Sequence, residues 1–368
     1  MLGNEDRQFF IPNTTMSRSE ISEESRYMSD RVLVTGASSF IGSHVVLNLL
    51  QKGYLVRGTL RDLSKKNEVI ETTSENYNGD INDRLEFVKA NLLEDDGWSK
   101  AAIGCDYVIH LASPFPLAEP TDENDVIIPA KDGTLRILRA AQKAKIKKFI
   151  LTSSNAAIFY GHKDYTKVYD ENDWTDISKP IGAYLKSKTI AEKAAWDFVD
   201  NLNENEQFEF CTINPNVVLG PLLGKRVSTS TEIIRILLDR QYPALPKVGF
   251  LPVDVRDVAS LHVEALTNPE VNRRRLICAS TNIWLVDIAK ILRSSGYNVT
   301  TKQMPNFLLK LLSIFDPTLK LIVGELDVER KIDISETQRI FKWTPKTHEE
   351  MILSTAKSLV DRDLVSIK

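Results

Sequence analysis

The chain has 368 residues, 42% of them hydrophobic and 26% charged, with a formal net charge of −3. That length exceeds one ordinary core and points to a large unit or two interleaved ones, while the near-neutral charge gives no electrostatic case for nucleic acid or an anionic membrane as partner. Its three scattered cysteines, Cys105, Cys211 and Cys278, have neither metal-ligand spacing nor disulfide logic, as in a reducing compartment.

Residues 1–29 are rich in Ser, Glu and Asn, lack periodicity and read as a flexible extension. This stretch has no long apolar core for a signal peptide and is too acidic for a transit peptide, so a cytoplasmic location is expected. At Arg31 the texture changes. RVLVTG is a short β-branched run ending in glycine, and FIGSHVVLNLLQKG has the apolar spacing of a helix. YLVRGTL, LEFVKA, DYVIHLA, KKFILTSS and FEFCTINPNVV supply further strands, separated by helical stretches such as VIIPAKDGTLRILRAAQKAK. Strands alternating with helices of this length predict βαβ units in an α/β fold with a doubly wound parallel sheet. From about Pro221 the alternation weakens into helical segments (TEIIRILLDR, VASLHVEALT, NIWLVDIAKILRSSG) and short strands, as in a smaller substrate-binding part. The apolar stretch from Phe307 to Val323 is interrupted by Lys310, Asp316, Pro317 and Lys320, and predicts an amphipathic element rather than a membrane span.

Four clusters in this framework carry chemistry. In VTGASSFIG, residues 34–42, the turn Gly36-x-x-Ser39-Phe40-Ile41-Gly42 lies between the first strand and the first helix, where backbone N–H groups can meet a pyrophosphate. Arg61 ends the second strand, where a guanidinium suits a 2′-phosphate; Lys65 and Lys66 follow, and the expected cofactor is NADP(H). Asp62 beside it could serve a ribose instead. LTSSNAA, residues 151–157, follows the fifth strand, and hydroxyls at such strand ends face the ligand crevice. Tyr184 and Lys188 stand four apart in AYLKSKTIAEKAAW, so phenol and ammonium share one helical face. A nearby cation lowers a tyrosine pKa toward a range in which it hands a proton to a carbonyl oxygen.

Together with GYLVRGTLRD, HLASPF, VYDENDWTD and INPNVVLGP, these strings resemble the extended short-chain dehydrogenase/reductase superfamily over residues 31–355. Within it the chain is similar to the dihydroflavonol reductase-like branch, which includes cinnamoyl-CoA, phenylacetaldehyde and methylglyoxal-type reductases. The resemblance implies a Rossmann-type NADP-binding domain over 30–220 and a substrate-binding part over 221–355, interleaved with the sheet. It further implies Ser154, Tyr184 and Lys188 as the catalytic serine, tyrosine and lysine, and Arg61 as the 2′-phosphate arginine. Asn91, followed by Leu92, falls where an aspartate usually lies near the adenine. Ala112 and Ser113 match the loop beside the cofactor ribose, and Pro215 to Val218 the segment beside the nicotinamide.

Two positions depart from the pattern. Ser39 replaces the central motif glycine, and a positive φ there would strain a serine and weaken the cofactor grip. Phe159 falls where flavonoid reductases have a polar residue for the catechol ring, so a smaller or more apolar carbonyl is expected. The implied activity is NADPH-dependent reduction of a small aldehyde or ketone, with Tyr184 as proton donor and a homodimer as a possible assembly. A hydroxysteroid dehydrogenase or sugar-nucleotide epimerase shares the same three residues, and Lys225, Arg226 and Arg256 could serve a nucleotide. A non-enzymatic NADP-sensing or scaffold protein is a further alternative. Several other residues are expected to have plain roles. His110 reads as a satisfied strand-end histidine, His162 as a loop residue, Asp95-Asp96 as a helix start and Trp196 as core after the Tyr184 helix. THEEM, residues 347–351, lacks the second histidine of a zinc helix.

Overall fold

The computed structural model describes residues 30–114, 120–313 and 323–366. The flexible extension expected over residues 1–29 therefore lies outside the described residues. In chain order the first half comprises β1 (Arg31–Thr35), α1 (Phe40–Gln51), β2 (Leu55–Leu60), α2 (Lys66–Asn76), β3 (Leu85–Lys89), α3 (Trp98–Ala102), β4 (Tyr107–His110), α4 (Asn124–Ala144), β5 (Lys148–Thr152), β6 (Val168–Tyr169) and α5 (Ala183–Asp200). The second half comprises β7 (Glu209–Pro215), β8 (Val217–Leu219), α6 (Thr229–Leu238), β9 (Gly249–Phe250), β10 (Pro252–Asp254), α7 (Val255–Ala265), β11 (Arg275–Cys278), β12 (Ile283–Trp284), α8 (Leu285–Ser294), α9 (Asn306–Leu312), β13 (Lys331–Ile332), α10 (Ser335–Phe341) and α11 (His348–Asp361).

Seven strands form one parallel sheet in the order β11-β7-β5-β4-β1-β2-β3, the Rossmann-type arrangement that the alternation predicts. Successive strand residues face opposite sides, and the core divides accordingly. Val32 and Val34 enter one apolar layer with Val45, Val46 and Leu49 of α1, Val258 and Leu261 of α7, and Met351 and Leu359 of α11. Leu33 points the other way, into a layer with Trp98 and Ala101 of α3, Ile137 and Leu138 of α4, Val199 of α5, and Phe149 and Phe210 of the sheet. A third, smaller core of Ile158, Phe159, Tyr169, Leu251 and Ile277 lies beyond β5.

Chain order reverses direction at the centre of the sheet, with β2 on one side of β1 and β4 on the other. In open parallel sheets that switch point is where a ligand crevice opens, beyond the strand C-termini. Three separate two-stranded sheets accompany the seven-stranded one: β8 with β10 (parallel), β9 with β12 (antiparallel) and β6 with β13 (parallel). The last pair joins Lys331 and Ile332 to Val168 and Tyr169, bringing a late segment beside the chain that follows β5.

Local boundaries differ from the sequence reading in a few places. FEFCTINPNVV divides at Asn216 into β7 and β8, and NIWLVDIAKILRSSG into a two-residue strand and a helix capped by Trp284. Trp196 lies within α5, edge-on to Phe210, rather than after that helix. Asp95 and Asp96 precede α3 without capping it; Gly97, at φ 90°, takes that position and Asp95 pairs with Arg136 instead. The amphipathic stretch at Phe307 is helical in α9, and its continuation over 314–322 lies outside the described residues. Among the described residues, no helix is long and apolar enough to cross a membrane, and no group of His, Cys, Asp and Glu is placed to hold a metal ion. The three cysteines are free and buried.

Candidate active site

The turn after β1 is held by its own backbone and by two glycines that tolerate no side chain. Ser39 N–H donates to Gly36 O at 2.9 Å, and Gly36 N–H to Thr59 Oγ1 at 3.3 Å. Gly36 has φ 67°, and a Cβ at Gly42 would lie 2.3 Å from Gly36 O. The strain expected of Ser39 is absent. Its φ is −77° and its hydroxyl accepts the Gly42 N–H at 3.0 Å, so it caps α1 in extended geometry that any residue adopts. Phe40 and Ile41 open that helix.

Beside the turn lies a cleft of about 500 Å³ lined by Ser38, Leu60, Arg61, Lys65 and Arg226, among others. Arg61 is exposed, and so is Asp62 beside it, which also lines the cleft. Its carboxylate is engaged by Ser64 N–H at 2.9 Å and Ser64 Oγ–H at 2.7 Å, which lowers its pKa. Arg226, from the chain after β8, reaches back so that Nη1 donates to both O and Oγ of Ser38 at 3.2 Å. The cleft thus gathers three cations from two distant parts of the sequence. Of the basic residues named for a nucleotide, Arg256 is instead locked onto the buried Asp254 carboxylate, at 2.8 and 2.7 Å.

Asn91 spends its side chain locally: Nδ2–H donates to Glu94 Oε1 at 2.8 Å, and Oδ1 accepts Leu93 N–H at 3.2 Å. Leu92 packs against Gly133 of α4, and its carbonyl accepts from Arg136. Ala112 N–H donates to Thr35 Oγ1 at 3.0 Å, placing this loop directly over Gly36. Pro215 closes β7 and Val218 is buried in β8.

At the end of β5 the chain turns sharply. Ser154 is extended (φ −164°, ψ 154°) and its hydroxyl accepts Ala156 N–H at 3.1 Å, capping the turn Asn155–Ala157. The Ser154 hydroxyl also bonds the Tyr184 phenol. Lys188 stands one turn further along α5 on the same face. All three side chains are half-buried.

The electrostatics differ from the sequence expectation. Burial pushes the Tyr184 phenol up to about 12, the nearby Tyr160 adds to the rise, and the Ser154 bond opposes it. Burial also lowers Lys188 to about 8, against the pull of Glu192. Desolvation therefore outweighs the cation beside the phenol.

His110 is only partly satisfied. Its Nδ1 meets Thr35 Oγ1 at 2.7 Å while the buried Nε2 lacks a hydrogen-bond partner, and burial holds its pKa down at about 3. His162 is, as expected, a loop residue, bonded to Trp174 O at 2.9 Å. Phe159 is 2% exposed and packs in the small core with Tyr169, so Tyr160, not Phe159, presents surface toward Tyr184. The Arg330 guanidinium lies 4.4 Å from the Tyr160 ring centroid and 5.1 Å from that of Phe159.

The NAD dependent epimerase/dehydratase family matches residues 32–278. The chain belongs to that family. An uncharacterised oxidoreductase of Schizosaccharomyces pombe is 35% identical over 90% of this chain and 97% of its own length. Dihydroflavonol 4-reductase of Arabidopsis thaliana is 35% identical over 73% of this chain and 71% of its own. Among solved structures, yeast methylglyoxal/isovaleraldehyde reductase Gre2 complexed with NADPH superposes with a TM-score of 0.76 at 26% identity, covering 90% of this chain and 99% of that one. These comparisons bear out the extended short-chain dehydrogenase/reductase, dihydroflavonol reductase-like assignment and an NADP-dependent oxidoreductase. A family member was legible from local strings; the reach of Arg226 to Ser38, across 188 residues, was not.

Proposed function

We propose that this epimerase/dehydratase-family reductase acts on small or apolar aldehydes and ketones, with Tyr184 as the proton donor. The observation that carries the reading is the hydrogen-bonded pair of Ser154 and Tyr184 at the end of β5, with Lys188 one turn behind. A phenol whose pKa is pushed up to about 12 is fully protonated at neutral pH, so the proton needed in the reductive direction is in place. The Ser154 hydroxyl is free to turn from the phenol to the carbonyl oxygen, which takes the developing negative charge. The Lys188 ammonium then stabilises the phenolate left behind.

The glycine turn fits a pyrophosphate, because Gly36 and Gly42 leave backbone where a Cβ would collide, and Arg61, Lys65 and Arg226 fit a 2′-phosphate. Bound NADPH would supply the hydride for the carbonyl carbon. In this reading Ala112, Pro215 and Val218 would lie beside the ribose and nicotinamide, and Asn91 and Leu92 beside the adenine. The wall formed by Tyr160 under Arg330 supports a compact substrate. A nucleotide-sugar reading loses support, because Arg256 is already bound to Asp254.

Replacing Tyr184 with Phe tests this. NADPH oxidation with isovaleraldehyde or methylglyoxal should fall at least a thousandfold, a loss of about 4 kcal/mol in transition-state stabilisation. The NADPH dissociation constant, read by fluorescence transfer, should stay within threefold. Turnover retained in the variant would overturn the assignment.

A further inference from the structure

Behind Tyr184 and Lys188 on the same face of α5 stands Glu192, 1% exposed and four residues further on. Its carboxylate is surrounded by donors. Oε2 accepts Asn214 Nδ2–H at 2.8 Å and the Ser153 hydroxyl; Oε1 accepts Arg275 Nε–H at 2.6 Å and Trp196 Nε1–H at 3.3 Å. An acceptor met only by donors is an ionised carboxylate, and Arg275, its side chain 9% exposed, is the counter-ion.

The other ends of these bonds matter more than the pair itself. Asn214 uses the same amide to hold Ser154 O at 3.2 Å. Arg275 Nη2–H reaches Ala157 O at 3.3 Å, and its Nη1–H groups hold the carbonyls of Glu171 and Asp173 at 2.7 and 2.6 Å. The guanidinium is stacked 3.7 Å from the Trp174 ring centroid, which fixes its plane. The turn carrying Ser154 is therefore gripped at Ser153, Ser154 and Ala157 by groups that converge on one carboxylate. A pair serving stability alone would have no reason to end on both sides of that serine.

We propose that Glu192, oriented by Arg275, is the positioning residue of this site, fixing the Ser153–Ser154 strand end, with its carboxylate the anion one helical turn behind Lys188. The proposal rests on the reductase reading above. Lys188 is faced by Tyr184 and Glu192 on its own helix and by His110 on β4, a neutral histidine. Glu192 is thus the anion that offsets the desolvation of Lys188.

The test is Glu192→Gln in the full chain. The amide keeps only one accepting oxygen, so its NH2 must face either Arg275 and Trp196 or Asn214 and Ser153, and one of the two grips on the Ser154 turn is lost. For the carbonyl that the wild type reduces, kcat should fall at least tenfold while the substrate KM and the NADPH dissociation constant change less than threefold. Independently of turnover, competitive acetylation of Lys188 with acetic anhydride, read by mass spectrometry, should titrate near pH 8 in the wild type and at lower pH in the variant. A folded Glu192→Gln protein with wild-type kcat, or with an unmoved Lys188 midpoint, overturns the proposal. If that variant fails to melt cooperatively, Asn214→Ala decides, since it frees Ser154 O and leaves the ion pair. A fivefold or greater loss of kcat then supports the proposal and wild-type kcat overturns it. A wild type inactive on every carbonyl would sink the reductase reading, and the Lys188 midpoint would then judge the positioning role alone.

Discussion

Ser39 accepts the Gly42 amide at φ −77°, which makes it a helix cap in a turn where a glycine was expected. Residue type alone suggested strain there; the dihedral, set by Gly36 taking the left-handed conformation three residues earlier, removes it. Arg226 has the opposite history. Nothing in its local sequence marks it as a partner of Ser38, yet it completes a cleft with Arg61 and Lys65. Replacing Arg226 with Gln should weaken NADPH binding about tenfold, roughly 1.4 kcal/mol, and NADH binding less than twofold. Isothermal titration with both nucleotides checks this, and equal losses would assign the guanidinium to the pyrophosphate instead. Tyr184, Lys188, Gly36, Gly42 and Arg61 were legible because their signals are spacings of a few residues. Glu192 and Arg275 were not, since their meaning depends on a pairing 83 residues apart. The raised Tyr184 pKa was misread for a related reason: spacing shows a nearby cation but not how much water the fold removes.

At the scale of elements, the β1–turn–α1 unit depends on close backbone approach. A Cβ at residue 42 would meet Gly36 O at 2.3 Å and Ser39 Oγ at 2.8 Å, so the Gly42→Ala chain must shift backbone rather than a flexible side chain. This substitution should lower unfolding stability by about 2 kcal/mol or more and abolish measurable NADPH binding. Denaturant unfolding and fluorescence titration on the same sample separate the two effects. Six of the seven sheet strands were readable from the sequence because buried parallel strands are nearly continuous apolar runs, such as FILT in β5; β11, only four residues long, was not singled out. The short pairs β6–β13 and β9–β12 were not, since two residues carry no period and their partners are set by tertiary contact.

Across the whole molecule, three histidines are buried without charge. Burial lowers His44 and His262 to about 4 and His110 to about 3. A histidine whose folded pKa lies below its unfolded value near 6.5 contributes full stability above that value and loses it as pH falls toward the folded one. Each should therefore cost on the order of 3 kcal/mol by pH 4, and urea midpoints should drop steeply between pH 6.5 and 4. Replacing His262, whose ring bonds Thr152 and Val258, with Gln should flatten that drop. The link between Glu192 and Arg275 also has a consequence in time. Arg275 leaves the ribosome 83 residues after Glu192, a delay of roughly 4–17 s at ordinary synthesis rates. Through that interval the nascent chain holds a carboxylate meant for burial and no Arg275 guanidinium to meet it, so the Ser154 turn cannot take its final grip before residue 275 is made. A chain released before residue 275 would carry Ser154, Tyr184 and Lys188 and still lack the anchor that aligns them.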